Sequence, residues 1–245
     1  MKVAFLGATK GMGRALARRM AERGEHLCLM GRDAEQLTRS AADLAVRGAA
    51  KPVSTAHCDL RVPSTLVSAL DRADEALGAF DTLVVTAAAF ATQEELETDA
   101  ALCRDLLTTN FTSVIELCEE ARRRMLDRGG GTICVFSSVA GDRARRPVVL
   151  YGAAKAGLSH YLEGLDHRFR AAGLRTVCVK PGFVRTGMTA GLAPPPFAGE
   201  PDAVAQRVVR AIDRGQPVVY APAVWRWILL AIRALPRAVM RRIGF

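Results

Sequence analysis

The chain has 245 residues, half of them hydrophobic and few aromatic, which suits one large α/β domain with a sizeable core and excludes a disordered chain. Its formal charge is +9, supplied almost wholly by arginine. Such a balance admits nucleic acid, anionic lipid or a phosphorylated ligand as partner, beside the plainer reading of a solvated Arg-rich surface. The six cysteines, Cys28, Cys58, Cys103, Cys118, Cys134 and Cys178, form no C-x-x-C pair, and several lie in apolar runs. They read as small core residues of a reducing, cytoplasmic protein, and the four histidines show no metal-ligand spacing, so no structural metal is expected.

The N-terminal run is short, carries one charge and ends at Gly7, which predicts a first strand over 3–6 rather than a signal peptide. No apolar stretch reaches the roughly 18–20 residues of a membrane span. A helical pattern over 14–23 carries Leu16 and Met20 on one side and stops at Gly24. Strands are then predicted over 27–30, 53–58, 82–86, 132–136, 176–179 and 216–220. Between them fall helical patterns over 36–47, 66–77, near 94–96, over 101–126 and over 151–171. This alternation implies right-handed βαβ units and a doubly wound parallel sheet of about seven strands with helices on both faces. Residues 1–221 are expected to form the catalytic domain and residues 222–245 a basic, apolar extension.

The first strand runs into Gly7-Ala8-Thr9-Lys10-Gly11-Met12-Gly13, and a helix follows at once. Glycines there let backbone approach a pyrophosphate, and the helix N-terminus adds N–H donors and a positive dipole end. Further along, Ser137-Ser138 close a strand, and Tyr151 and Lys155 share one helix face four residues apart. An ammonium beside a phenol favours phenolate and draws its pKa from about 10 toward the working range.

This set of motifs resembles the short-chain dehydrogenase/reductase family, in its single-domain branch, over roughly residues 1–190. The resemblance implies that Tyr151 exchanges a proton with a carbonyl or alcohol oxygen. Lys155 would hold the nicotinamide ribose, and Ser138, rather than Ser137, would hydrogen-bond the substrate. Asn110 matches the helix Asn that supports a water-linked proton relay, its other reading being a helix kink or a buried polar residue. Gly7, Thr9, Lys10, Gly11, Met12 and Gly13 would form the phosphate loop, and Asp59-Leu60 would meet the adenine, although Asp59 also suits a turn. Ala87 stands in Val85-Thr86-Ala87-Ala88-Ala89, a degenerate form of the family's Asn-Asn-Ala-Gly signature. Pro181, Gly182, Val184 and Thr186 match the segment that holds the carboxamide.

In the family an acid at the end of the second strand selects NAD. Here Gly31 stands in that place, followed by Arg32, and Lys10 precedes the second loop glycine. Two cations and no acid favour the 2′-phosphate of NADP(H). Asp33 is expected to turn away and start the next helix.

The expected function is reduction of a ketone by NADPH, on a substrate that is lipid-like. The alternatives are an NADP-dependent alcohol dehydrogenase on a small soluble substrate and a non-catalytic NADP(H)-sensing regulator, the latter having no use for Ser138, Tyr151 and Lys155. The C-terminal segment carries two tryptophans, an apolar run and five arginines, with no acid after Asp213. It suits a membrane-interface helix, a substrate cap or a subunit contact, and is similar to tails of family members acting on lipid-linked ketones. Nucleic-acid binding finds no reading helix or stacking motif. A homodimer or homotetramer is expected from the resemblance.

Overall fold

The computed structural model describes residues 1–191 and 193–243, the Lys51 side chain apart. Among these, seven parallel strands form one sheet: β1 (Lys2–Leu6), β2 (His26–Gly31), β3 (Ala50–His57), β4 (Thr82–Val85), β5 (Gly131–Phe136), β6 (Leu174–Pro181) and β7 (Val218–Ala221). Their order is β3-β2-β1-β4-β5-β6-β7, the Rossmann-like arrangement expected. The helices are α1 (Gly11–Glu22), α2 (Ala34–Val46), α3 (Ser64–Leu77), α4 (Gln93–Thr98), α5 (Ala100–Leu107), α6 (Ser113–Leu126), α7 (Val149–Phe169), α8 (Pro201–Arg214), α9 (Val224–Ala234) and α10 (Arg237–Arg242).

The period-two alternation of each strand divides the core. In β1, Val3 and Phe5 join Leu16 and Met20 of α1, Leu37 and Leu44 of α2, and Val208 and Ile212 of α8. Ala4 and Leu6 face the other way, toward Leu70 of α3, Leu117 of α6, and Leu158 and Leu162 of α7. Leu16, Met20, Leu158 and Leu162 are fully buried, each contributing about 1.5–3 kcal/mol of apolar burial. Both faces of the sheet are thereby covered, as an all-parallel sheet requires.

Helix α2 starts where Asp33 accepts a hydrogen bond from Gln36 N at 3.0 Å, as its N-cap role required. Helix α1 starts three residues before the periodicity indicated, at Gly11, directly on the glycine loop. The continuous helix expected over 101–126 is instead α5 and α6 joined by a π-helical turn, Thr108–Thr112. Helix α8 was not anticipated; Pro201 opens its first turn, and Val204, Val208 and Ile212 form its inward stripe. The tail forms two helices, because Pro236 separates α9 from α10. Gly244 and Phe245 of the expected extension lie outside the described residues, as does Leu192.

In a parallel sheet every strand ends at the same edge. The segments after β1, β4, β5, β6 and β7 therefore all leave from one side of the molecule, and that side holds the motif residues.

Candidate active site

The chain turns out of β1 at Gly7, where φ is +97°. Two glycines there pack too closely for any side chain. A Cβ on Gly13 would stand 2.1 Å from the Gly7 carbonyl oxygen, and one on Gly7 would stand 2.5 Å from Ala87 N. The Thr86 hydroxyl closes the contact by donating to the Gly7 carbonyl at 3.0 Å. Gly11 faces Thr186, whose methyl would lie 3.4 Å from a Cβ on Gly11, so the loop after β1 meets the loop after β6. Thr9 accepts from Arg14 Nε at 2.7 Å through its carbonyl, Met12 packs against the core, and Lys10 is exposed at the start of α1. The side-chain-free cradle at the α1 N-terminus fits the diphosphate of a dinucleotide.

Beside it, β2 ends at Gly31 and Arg32 is exposed. Asp59, half-buried, accepts from Arg61 N at 3.0 Å and from the Arg61 guanidinium at 3.0 Å. Arg61 holds its carboxyl below the usual range against the opposing effect of burial, with Arg32 adding to the lowering. The carboxylate is thus a turn residue in this arrangement, with Arg32 near it. Leu60 is buried, and Ala87 is half-buried after β4.

The two serines after β5 diverge because extended backbone alternates sides. Ser137 is buried and donates to the Lys155 carbonyl at 2.9 Å, with its oxygen 2.7 Å from that of Ser159. Ser138 points the other way, accepts from Ala140 N at 3.1 Å, and its hydroxyl lies near enough to the Tyr151 phenol to lower its pKa. Lys155, fully within the structure, donates from Nζ to the Phe136 carbonyl at 2.9 Å and lies 5.8 Å from the centre of the Tyr151 ring. The expected lowering of Tyr151 by Lys155 is not what this geometry gives. Burial pushes the phenol up, the neighbouring Ser138 hydroxyl pulls against it, and the Lys155 ammonium is itself pushed down to about 8 by burial.

Asn110 sits in the π-helical turn, wholly buried. Its Oδ1 accepts from Ala89 N at 2.7 Å and its Nδ2 donates to Ala89 O at 2.8 Å. Both ends of the amide are therefore committed to the segment after β4. That segment also carries Phe90, whose ring meets Tyr151 edge-on at 5.4 Å between centres.

Pro181 closes β6 and is buried beside Ala221, and Gly182 N donates to Ala221 O at 3.0 Å. Val184 is buried and bridges to Gly199, and Thr186 opens a short turn, Gly187–Thr189. Two features here were absent from the sequence expectations. Trp225 covers Gly182, with its Nε1 2.0 Å from where a Cβ would be, and this buried N–H has no acceptor among the described residues. Asp142, four residues after Ser138, accepts from Lys180 at 2.5 Å and from the Tyr220 hydroxyl at 2.7 Å, joining the ends of β5, β6 and β7. Trp225 was visible only as part of an apolar tail, and Asp142 carried no motif.

The structure thus brings Ser138, Tyr151, Lys155 and Asn110 together with the glycine cradle along one sheet edge, and holds Asp59 and Arg32 at the far end. The short chain dehydrogenase family model matches residues 2–195. An uncharacterized oxidoreductase of Mycobacterium tuberculosis is 36% identical over 243 residues, covering 98% of this chain and 96% of the relative. Carbonyl reductase family member 4 of Xenopus tropicalis is 29% identical, covering 86% of this chain and 90% of that protein. A solved short chain dehydrogenase/reductase family protein superposes with a TM-score of 0.78 at 27% identity, over 89% of this chain and 94% of its own. The shared motifs, their order in the chain and their convergence on one edge agree with these matches, and the chain belongs to the short-chain dehydrogenase/reductase family and is an oxidoreductase.

Proposed function

We propose that the chain is an NADPH-dependent ketoreductase that converts a lipid-like ketone to a secondary alcohol, with Tyr151 as the proton donor. The observation that carries this reading is the placement of Ser138 and Lys155 around a buried Tyr151, with the Lys155 ammonium 5.8 Å from the centre of its ring and burial raising the phenol's pKa. A phenol that keeps its proton is an acid in waiting, which suits reduction better than oxidation. Ser138 orients the ketone oxygen toward that proton, and Lys155 lies below the Tyr151 ring to hold the ribose side of the cofactor. Gly7, Gly11 and Gly13 receive the diphosphate, Lys10 and Arg32 receive the 2′-phosphate, and the 181–186 segment holds the carboxamide. When bound, the nicotinamide supplies the hydride.

The substrate class rests on the rim of the cleft. Phe90, which packs on the Tyr151 ring, is 41% exposed, and Met188 is 46% exposed in the turn after Thr186. An apolar mouth of this kind favours a greasy ketone over a small charged one. The carbonyl reductase among the relatives agrees with the direction of the reaction. The working unit in this reading is a homodimer or homotetramer of cytoplasmic protein, with residues 1–221 as the catalytic domain.

The test monitors NADPH and NADH oxidation against soluble and long-chain ketones, with Tyr151→Phe as control. NADPH-dependent turnover that is lost in the variant is expected. Full activity in Tyr151→Phe overturns the proton-donor role, and a preference for NADH overturns the roles of Lys10 and Arg32.

A further inference from the structure

Helix α9 is apolar on two sides. Its inner stripe, Trp225, Ile228, Leu229 and Ile232, follows the i, i+3, i+4, i+7 spacing and faces the protein; Leu229 is 4% exposed and Trp225 covers Gly182. That stripe alone accounts for docking the helix. A second stripe with the same spacing, Trp227, Leu230, Ala231 and Ala234, faces outward. Trp227 is 65% exposed and Leu230 61%. Arg226 and Arg233, seven residues apart, border one side of this outer stripe, and Arg237, Arg241 and Arg242 follow on α10, all exposed. No acidic residue occurs after Asp213, so this surface meets no carboxylate from its own segment.

The tail is also held against the catalytic segment. Arg143 donates to the Leu235 carbonyl at 2.6 Å, and Arg146 donates to the Arg241 carbonyl. Both arginines belong to the stretch between Ser138 and Tyr151. The tail helices therefore lie against the stretch that leads from Ser138 to Tyr151.

We propose that the outer face of α9, with the arginines of α9 and α10, docks on an anionic lipid surface. The charge selects an anionic partner, and exposed Trp and Leu between arginines match a bilayer interface, where indole and guanidinium both find favourable depth. Among the described residues no helix is long and apolar enough to cross a membrane, so contact is with the surface. The proposal rests on the ketoreductase reading for one point alone: docking brings the cleft mouth to the layer from which a lipid-like ketone is drawn.

The protein reports on itself, because both tryptophans of the chain lie in α9. Full-length protein is mixed with phosphatidylcholine vesicles, with and without phosphatidylglycerol. Pelleting and tryptophan emission are read in parallel with turnover of a soluble ketone. Binding to the anionic vesicles is expected to exceed binding to neutral ones by at least about tenfold, at about fivefold for each arginine at the surface. It weakens with added salt and is accompanied by a blue shift that Trp227→Phe removes. Trp227→Ala/Leu230→Ala is expected to lose binding by at least about tenfold while keeping soluble-ketone turnover and thermal stability. Equal pelleting of wild type and this double variant overturns the proposal. So does a wild-type dimer in analytical ultracentrifugation that the double variant converts to monomer, since a second copy would then cover the stripe. Vesicle binding without turnover leaves docking in place and removes the ketoreductase reading; turnover without vesicle binding does the reverse.

Discussion

Replacing Asn110 by alanine separates two roles for this residue. The amide is wholly buried and makes both its hydrogen bonds to one backbone unit, Ala89 N at 2.7 Å and Ala89 O at 2.8 Å. Its removal leaves that N–H and C=O without partners. An unmade hydrogen bond at a fully buried group costs about 1–3 kcal/mol. Ala89 is only half-buried, so the lower part of that range applies, about 1–2 kcal/mol for each group and about 2–4 kcal/mol in all. A domain of this size loses about 2–4 °C in Tm per kcal/mol, which gives a fall of about 4–16 °C. Thermal unfolding followed by far-UV circular dichroism measures this. Because Phe90 follows Ala89 and packs on Tyr151, turnover of a soluble ketone is expected to fall too. A residue serving only a proton relay would lower kcat and leave Tm alone. A Tm within about 2 °C of wild type therefore refutes the clasp.

Tyr151→Phe is expected to lower kcat by about 10²–10⁴ while Tm and NADPH affinity stay near wild type; undiminished kcat excludes the phenol as the proton source. Lys155 is pushed down from 10.5 to about 8, so between those pH values the unfolded chain binds the extra proton. The contribution of Lys155 to stability therefore rises with pH across that window. The urea midpoint of wild type minus that of Lys155→Met should climb from pH 8 to 10, a flat or falling difference contradicting the burial argument. In the same range kcat should decline above about pH 8 as the ammonium is lost. Arg32→Glu should weaken NADPH binding about 10–100-fold and NADH binding far less; equal losses by titration calorimetry would place the 2′-phosphate elsewhere.

The sheet was legible because its signals are local. Short apolar runs, the first three closed by Gly7, Gly31 and Asp59, alternate with helical stripes, and seven such runs became seven strands. Tyr151 and Lys155 were legible as neighbours because helix spacing puts them on one face, while the choice of Ser138 over Ser137 and the roles of all three came from the family resemblance. The π-helical turn at Asn110 was hidden, since one inserted residue barely disturbs an apolar period over 101–126. Helix α8 carried readable marks, Pro201 at its start and Gly215 in a left-handed stop, around the apolar spacing of Val204, Val208 and Ile212. The Asp142, Lys180 and Tyr220 cluster had no local mark at all. Its members are 38 and 78 residues apart and meet only because β5, β6 and β7 are neighbours. The effect of burial on Tyr151 was likewise beyond the sequence, which shows a nearby lysine but not where its ammonium points.

Ser137 and Ser138 give this protein an internal control of an unusual kind. The same side chain occurs twice in succession, once turned into the body of the protein toward Lys155 and Ser159, once turned toward the phenol. Changing either to alanine removes one hydroxyl and nothing else. The loss at Ser137 reads out what that hydroxyl does for the fold, and the further loss of turnover at Ser138, beyond the cap it gives Ala140 N, tests the proposed role in chemistry. Two neighbouring codons thus set, by identical surgery, a hydroxyl turned into the body of the protein against one turned toward the proposed reaction site, the latter also capping the turn at Ala140.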